Sequence, residues 1–257
     1  MKIYIVTDLE GISGVDSIDM IKVDHPRHRF AIERLMADTN AAIDGAFLGG
    51  ASMVTVNDGH GGGNNFDLSL LDPRAVFDTR ENKNSHLDDS YAGTFFIGTH
   101  AMAGTINAFL DHTQSSASWF NYWVNGRRCG EMAQWAISSA YYDVPVLMVS
   151  GDETACAEAR SFFNPVACAA VKYANGRNHA LCYDLKESED SIREAARSGM
   201  ALIGQVKPFK PLLPMEIKLE LYRSDYCDEL ASLPDVERLD ARTIRKVVNS
   251  YQDVLFG

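Results

Sequence analysis

Four short apolar runs, each ending on polar residues, constrain this chain more than any other feature. Lys2 to Thr7 runs into Asp8, Ser52 to Asn57 into Asp58-Gly59-His60, Thr94 to Gly98 into Thr99-His100, and Val144 to Val149 into Ser150-Gly151-Asp152. All four are rich in β-branched or aromatic residues and are too short for helices, so they read as buried strands. A helix from about Pro26 separates the first two, with Ile32, Leu35, Met36, Ile43 and Phe47 on its inner face and Gly49-Gly50 as its stop. Strand, helix, strand is a parallel crossover unit. Its repetition predicts an α/β fold on a three-layer, parallel, Rossmann-like sheet.

Open parallel sheets bind ligands outside the carboxyl ends of their strands. Asp8, Glu10, His60 and His100 are therefore expected to converge, although they are far apart in sequence. Asp8 and Glu10 are two residues apart, which on an extended chain points both the same way and leaves Leu9 for the core. Neighbouring carboxylates repel unless a shared proton, a basic side chain or a metal ion lies between them.

The remaining chain changes character. Ser118 to Val124 predicts a strand, Asn125-Gly126 a tight hairpin turn, and Gly130 to Tyr142 a helix with Met132, Trp135, Ala136 and Ala140 facing inward. That helix puts Glu131 in its first turn. Beyond about residue 160 a strand at Val166 to Val171, a helix near Asp190 to Leu202 and turns at Pro208, Pro211 and Pro214 are expected. Met215 to Tyr222 alternates as a strand with one wet face, and Ile244, Val247, Val248, Tyr251 and Leu255 are spaced as a final helix. These patterns predict a metal-binding catalytic α/β domain over residues 1–160 and an α+β subdomain, or oligomer surface, over residues 161–257.

Charge removes one class of partner. With 35 acidic against 24 basic residues, a formal charge of -11, the chain lacks the basic surface that nucleic acid requires. No stretch resembles a secretory signal or a transmembrane span, so no membrane partner is expected. Five widely spaced cysteines without a C-x-x-C pair suggest neither a disulfide framework nor a zinc knuckle, which points to the cytoplasm.

Taken singly, each polar strand end has an ordinary structural explanation. His60 lies in Asn57-Asp58-Gly59-His60, which is common turn chemistry. Gly61 to Gly63 carries no Gly-Lys-Ser/Thr, so a nucleotide loop is poorly supported. His100 fits a buried histidine on a backbone carbonyl, and His112 a surface neighbour of Asp111. Glu131 suits the dipole at a helix start, and Asp152 suits a cap.

Together, two histidines and three carboxylates form a mixed N/O donor set suited to Zn²⁺ or a similar divalent ion. Five donors exceed the three that one catalytic zinc ordinarily takes from protein. Two ions, roughly 3.5–4 Å apart and sharing a carboxylate, fit the count better, with Asp8 as the expected bridge. Neither an H-E-x-x-H helix nor a G-x-S-x-G elbow occurs.

Thr7-Asp8-Leu9-Glu10-Gly11-Ile12-Ser13-Gly14, Asn57-Asp58-Gly59-His60, Gly98-Thr99-His100-Ala101-Met102-Ala103-Gly104, Leu110-Asp111-His112 and Gly130-Glu131 also carry a family likeness. In these motifs the chain resembles the DppA family of D-aminopeptidases, also called dipeptide-transport-protein peptidases. The likeness runs in order through roughly the first 150 residues and is weaker past Asp152. The resemblance implies a binuclear zinc aminopeptidase acting on short peptides with a free N-terminus, among them D-amino-acid peptides. It also implies a homo-oligomeric ring with an internal active site, a decamer being one candidate size. On these motifs Asp8 would bridge the metals, Glu10, His60, His100 and Glu131 would complete their shells, and His112 would be the catalytic general base or proton shuttle. Two other readings use the same residues: a binuclear phosphoesterase, for which Arg127 and Arg128 are the nearby basic pair, and a non-catalytic peptide-binding module.

Overall fold

The computed structural model describes residues 1–79 and 86–256. Lys2–Thr7 forms β1, His28–Leu48 α1, Met53–Asp58 β2, Val76–Phe77 β3 and Tyr91–Thr99 β4. Trp119–Val124 and Arg127–Arg128 form β5 and β6 around the expected turn, followed by Glu131–Ala140 as α2. Val146–Asp152 is β7, Glu153–Phe162 α3, Ala167–Ala174 β8, Ala180–Cys182 β9 and Leu185–Met200 α4. Met215–Leu221 is β10, Ser224–Leu230 α5, Glu237–Arg238 β11 and Thr243–Val248 β12.

Seven strands make a mostly parallel sheet in the order β3-β2-β1-β4-β7-β8-β9, with only β9 running antiparallel to its neighbour. The expected α/β sheet is present. After β1 the chain first builds outward through β2 and β3 and then returns to lay β4 on the other side of β1. The order therefore reverses between β1 and β4, and a ligand crevice belongs at such a reversal.

Alternate residues of β1 separate the two layers of helix. Ile3 and Ile5 pack with Leu35, Ile43 and Ile192 from α1 and α4, whereas Tyr4 and Val6 pack with Met132, Trp135 and Phe163 on the opposite face. A second, antiparallel sheet has the order β11-β12-β10-β5-β6. Helix α2 lies between the two sheets: Met132, Trp135 and Ala136 face the large one, and Ala133 and Ile137 join the core of the small one. This double burial anchors the helix whose first residue is Glu131. The sheets interleave along the chain, since β5 and β6 belong to the small sheet while β8 and β9 belong to the large one.

Two expectations are corrected. Ile244, Val247 and Val248 lie on strand β12, not on a final helix, and only Tyr251–Asp253 forms a single 3-10 turn. β10 offers an unpaired edge, and Ile244 fills it opposite Leu219 at full burial. β-branched residues gain more there than on an isolated helix. Helix α4 begins at Leu185, ahead of the expected position near Asp190, because Asp184 caps it by accepting from the backbone N–H groups of Lys186 and Glu187.

Candidate metal centre

Asp8 and Glu10 leave the end of β1, His60 follows β2, His100 follows β4, and Glu131 opens α2. His112 comes from the long connection between β4 and β5. Two glycines permit the close approach of these elements. A Cβ on Gly11 would lie 2.0 Å from the carbonyl oxygen of Thr99, and one on Gly59 would lie 2.5 Å from that of Thr7. Any larger residue would push the segments bearing Asp8, His60 and His100 apart.

All six predicted residues converge. Asp8 is 4% exposed and its two carboxylate oxygens face different neighbours. Oδ1 accepts from the backbone N–H of Leu9 at 2.9 Å and lies 2.9 Å from His60 Nδ1. Oδ2 lies 3.3 Å from His100 Nε2. On the first side, His60 Nδ1 is also 3.0 Å from Glu10 Oε2, a buried oxygen without a well-directed hydrogen bond. On the second side, Glu131 Oε1 is 3.3 Å from His100 Nε2 and 3.5 Å from His112 Nε2. Asp152, by contrast, is the N-cap of α3 through the N–H of Ala155, as its ordinary explanation requires.

Backbone contacts set the imidazole tautomers on the second side. His100 Nδ1 donates to the carbonyl of Ala101 at 3.0 Å, and His112 Nδ1 donates to that of Leu110 at 2.7 Å. A carbonyl can only accept, so in each neutral ring Nε2 carries the lone pair. Both Nε2 atoms face Glu131, and the rings stack at 3.9 Å with an interplanar angle of 12°. The backbone N–H of Gln114 donates to Glu131 Oε1 at 2.7 Å and holds that carboxylate in place.

The electrostatics are those of a site built around positive charge. Burial alone would lower the His60 pKa, but the carboxylates of Glu10 and Asp8 outweigh it and push the value up to about 11. His100 is likewise held well above its ordinary range, against burial, by Glu131 and Asp8. Burial works to raise the Asp8 pKa, yet His100 and His60 pull it well below the usual carboxylate range. A divalent ion offered to the same atoms would displace the imidazole protons and satisfy the carboxylates in their place. Two overlapping donor groups lie close enough to hold an ion, Asp8 with Glu10 and His100, and His100 with His112 and Glu131, and His60 adds a nitrogen beside Asp8 Oδ1 and Glu10 Oε2. The orphaned Glu10 oxygen and the N/O composition of the set fit zinc.

Asp8, Glu10, His60, His112 and Glu131 line a cavity of about 470 Å³ together with Ile21, Gly61 and residues 114–117. Neither Arg127 nor Arg128 lines it. Arg127 stacks on Phe162, its guanidinium carbon 3.8 Å from the ring centroid, and Arg128 donates to the carbonyl of Ala103.

Gln114 and Lys172 support the site without any sequence motif to mark them. Gln114 holds Glu131 by a backbone N–H that every residue except proline possesses, so its identity carries no signal. Lys172, in β8, is fully buried and donates to the carbonyls of Glu10 at 2.7 Å and Val15 at 2.6 Å. A lone lysine in a strand ordinarily marks a wet face.

Comparison with known proteins follows the same lines. A family model described as Peptidase_M55, D-aminopeptidase, matches residues 1–256. A D-aminopeptidase of Bacillus subtilis (strain 168) is 33% identical over 217 residues, which is 82% of this chain and 78% of that protein. A solved structure described as the Zn-dependent D-aminopeptidase DppA from Bacillus subtilis, a self-compartmentalizing protease, superposes with a TM-score of 0.94. That alignment has 27% identity and covers 99% of this chain and 94% of the other.

Proposed function

The chain belongs to the peptidase M55 family of D-aminopeptidases, and on that premise we propose that its strand-end cavity removes N-terminal residues from short D-amino-acid peptides at a two-zinc centre. The observation that carries this reading is the division of Asp8, with Oδ1 turned to His60 and Oδ2 to His100. Asp8 would bridge the ions, Glu10 and His60 would hold one, and His100 and Glu131 the other. Zinc there would supply Lewis acidity toward the lone pair of the neutral free amine and toward the scissile carbonyl, and would acidify a water.

The chain's own groups do the rest. With Nδ1–H committed to Leu110, His112 presents a basic Nε2 to the cavity and can take a proton from the attacking water and return it to the leaving amine. Glu131 faces that nitrogen at 3.5 Å and stabilises the imidazolium formed in between. Ile21 and residues 114–117 line the same cavity and would flank a bound peptide. A phosphoesterase would want basic groups at the cavity, and Arg127 and Arg128 are engaged elsewhere.

The protein is further proposed to work as a homo-oligomer, in a ring for which a decamer is one size. A cytoplasmic location fits its five unpaired cysteines. Among the described residues no helix is long and apolar enough to cross a membrane. The test compares hydrolysis of D- and L-peptides with free or blocked amino termini, before and after chelation and zinc restoration. Zinc-restored cleavage confined to free amino termini and favouring D-residues is expected. Full activity after complete zinc removal, or equal cleavage of blocked peptides, would refute the assignment.

A further inference from the structure

Lys172 projects from β8, two strands beyond β4, to the turn that carries Asp8 and Glu10. Among the described residues its ammonium makes no ion pair. It donates instead to the carbonyls of Glu10 and Val15 and lies 4.7 Å from the centroid of the Phe109 ring. Burial depresses its pKa to about 8. A buried ammonium is expensive to desolvate, and a well-packed apolar side chain at such a position is commonly neutral or stabilising. Stability alone therefore gives little reason for a lysine here.

The geometry points to Lys172 as a positioning residue that aims the Glu10 carboxylate into the zinc site, an inference that rests on the two-metal reading above. The peptide unit joining Glu10 to Gly11 is planar, and it is gripped at both edges. Gly11 N–H donates to the carbonyl of Gly98 at 2.7 Å, and the Glu10 carbonyl accepts from Lys172 at 2.7 Å. With both edges fixed, the plane cannot rotate, and the Cα–Cβ bond of Glu10 keeps its direction. The second contact, to Val15, closes the same turn five residues on. Without Lys172 the Glu10 carbonyl has no other donor among the described residues, and the peptide can relieve this by turning, which swings the carboxylate away from His60.

The sign of the effect separates positioning from electrostatics. Three carboxylates, Asp8, Glu10 and Glu131, surround the proposed ions, so removing a nearby positive charge would by Coulomb's law tighten zinc binding. Loss of positioning would weaken it. Zinc stoichiometry and affinity, measured by titration against a competing chelator, test this in the full-length protein, in Lys172→Met, and in Ile217→Ala as a destabilised control in the separate core of the small sheet. The wild type should bind two zinc ions per chain. Lys172→Met should keep its far-UV circular dichroism yet lose at least about tenfold in affinity for one ion, the usual cost of losing an outer-shell partner. Ile217→Ala should keep both ions.

Unchanged or tighter zinc binding in a folded Lys172→Met would overturn the inference. If Lys172→Met does not fold, Lys172→Gln is judged by the same criterion, and failure of both to fold assigns Lys172 a purely structural role. A wild type that binds fewer than two ions refutes the two-metal reading itself, a result distinct from normal loading in both wild type and variant.

Discussion

The two sides of the cavity are held by different means. His100 and His112 are each tied to a backbone carbonyl through Nδ1, stack on one another, and meet a carboxylate that a backbone N–H holds still. His60 has its Nδ1 turned directly to Asp8 and Glu10, so its orientation depends on the carboxylates it meets. A site of this kind has one side organised before any ion arrives and one side organised by charge. Asp8 belongs to both, which makes it the residue whose loss should be felt most widely.

Asp8→Asn should therefore have the largest effect: loss of tightly bound zinc, and a fall in kcat/KM of at least about 10⁴-fold, or about 5.5 kcal/mol. Metal analysis and peptide hydrolysis on the folded variant check this, and normal zinc content would break the bridging assignment. His112→Asn should lower kcat by about 10² to 10³, within the range for proton transfer by a side chain, with zinc content and KM little changed. A rise in KM alone would instead make His112 a binding residue.

Glu10→Gln and Glu131→Gln sharpen the contrast between the sides. Each should weaken one zinc by about tenfold or more, but only Glu10→Gln should release a ring. In a crystal structure of that variant His60 should turn, whereas in Glu131→Gln the stack of His100 and His112 should persist because the Nδ1 bonds do not involve the carboxylate.

The smallest effect concerns the support behind the organised side. Glu158, on α3, accepts from the N–H of Met102 at 2.8 Å, just after His100, and its other oxygen is buried without a hydrogen bond. Burial raises its pKa to about 7. In the folded protein the charged form is disfavoured, so its contribution to stability is complete below the unfolded value near 4.5 and is lost as pH rises through about 7. Glu158→Gln should remove that loss and raise stability at pH 8 by about 1–3 kcal/mol relative to wild type. Denaturation midpoints at pH 5 and pH 8 read this directly, and an equal difference at both pH values would contradict it.

The organised core of the fold was legible because β1, β2, β4 and β7 are buried on both faces and therefore apolar throughout, so the polar residues at their ends stand out. Asp8, Glu10, His60 and His100 could be picked from the chain for the same reason, whereas Glu131 opens a helix and His112 stood out only through the family resemblance. What escaped depends on contacts that leave no local pattern. Ile244 and Val248 match a helical period by coincidence and become a strand only because β10 lacks a partner on that edge. α4 starts at a cap, Asp184, that lies outside any apolar repeat. Lys172 and the Gln114 N–H act on backbone atoms or through them, and their role exists only once remote strands meet.

The most direct test of the bridging claim is anomalous diffraction at the zinc edge from a crystal of the zinc-loaded protein. Two peaks are predicted, one beside Asp8 Oδ1 with Glu10 and His60, the other beside Oδ2 with His100 and Glu131. A single peak, or two that do not share Asp8, would contradict the account.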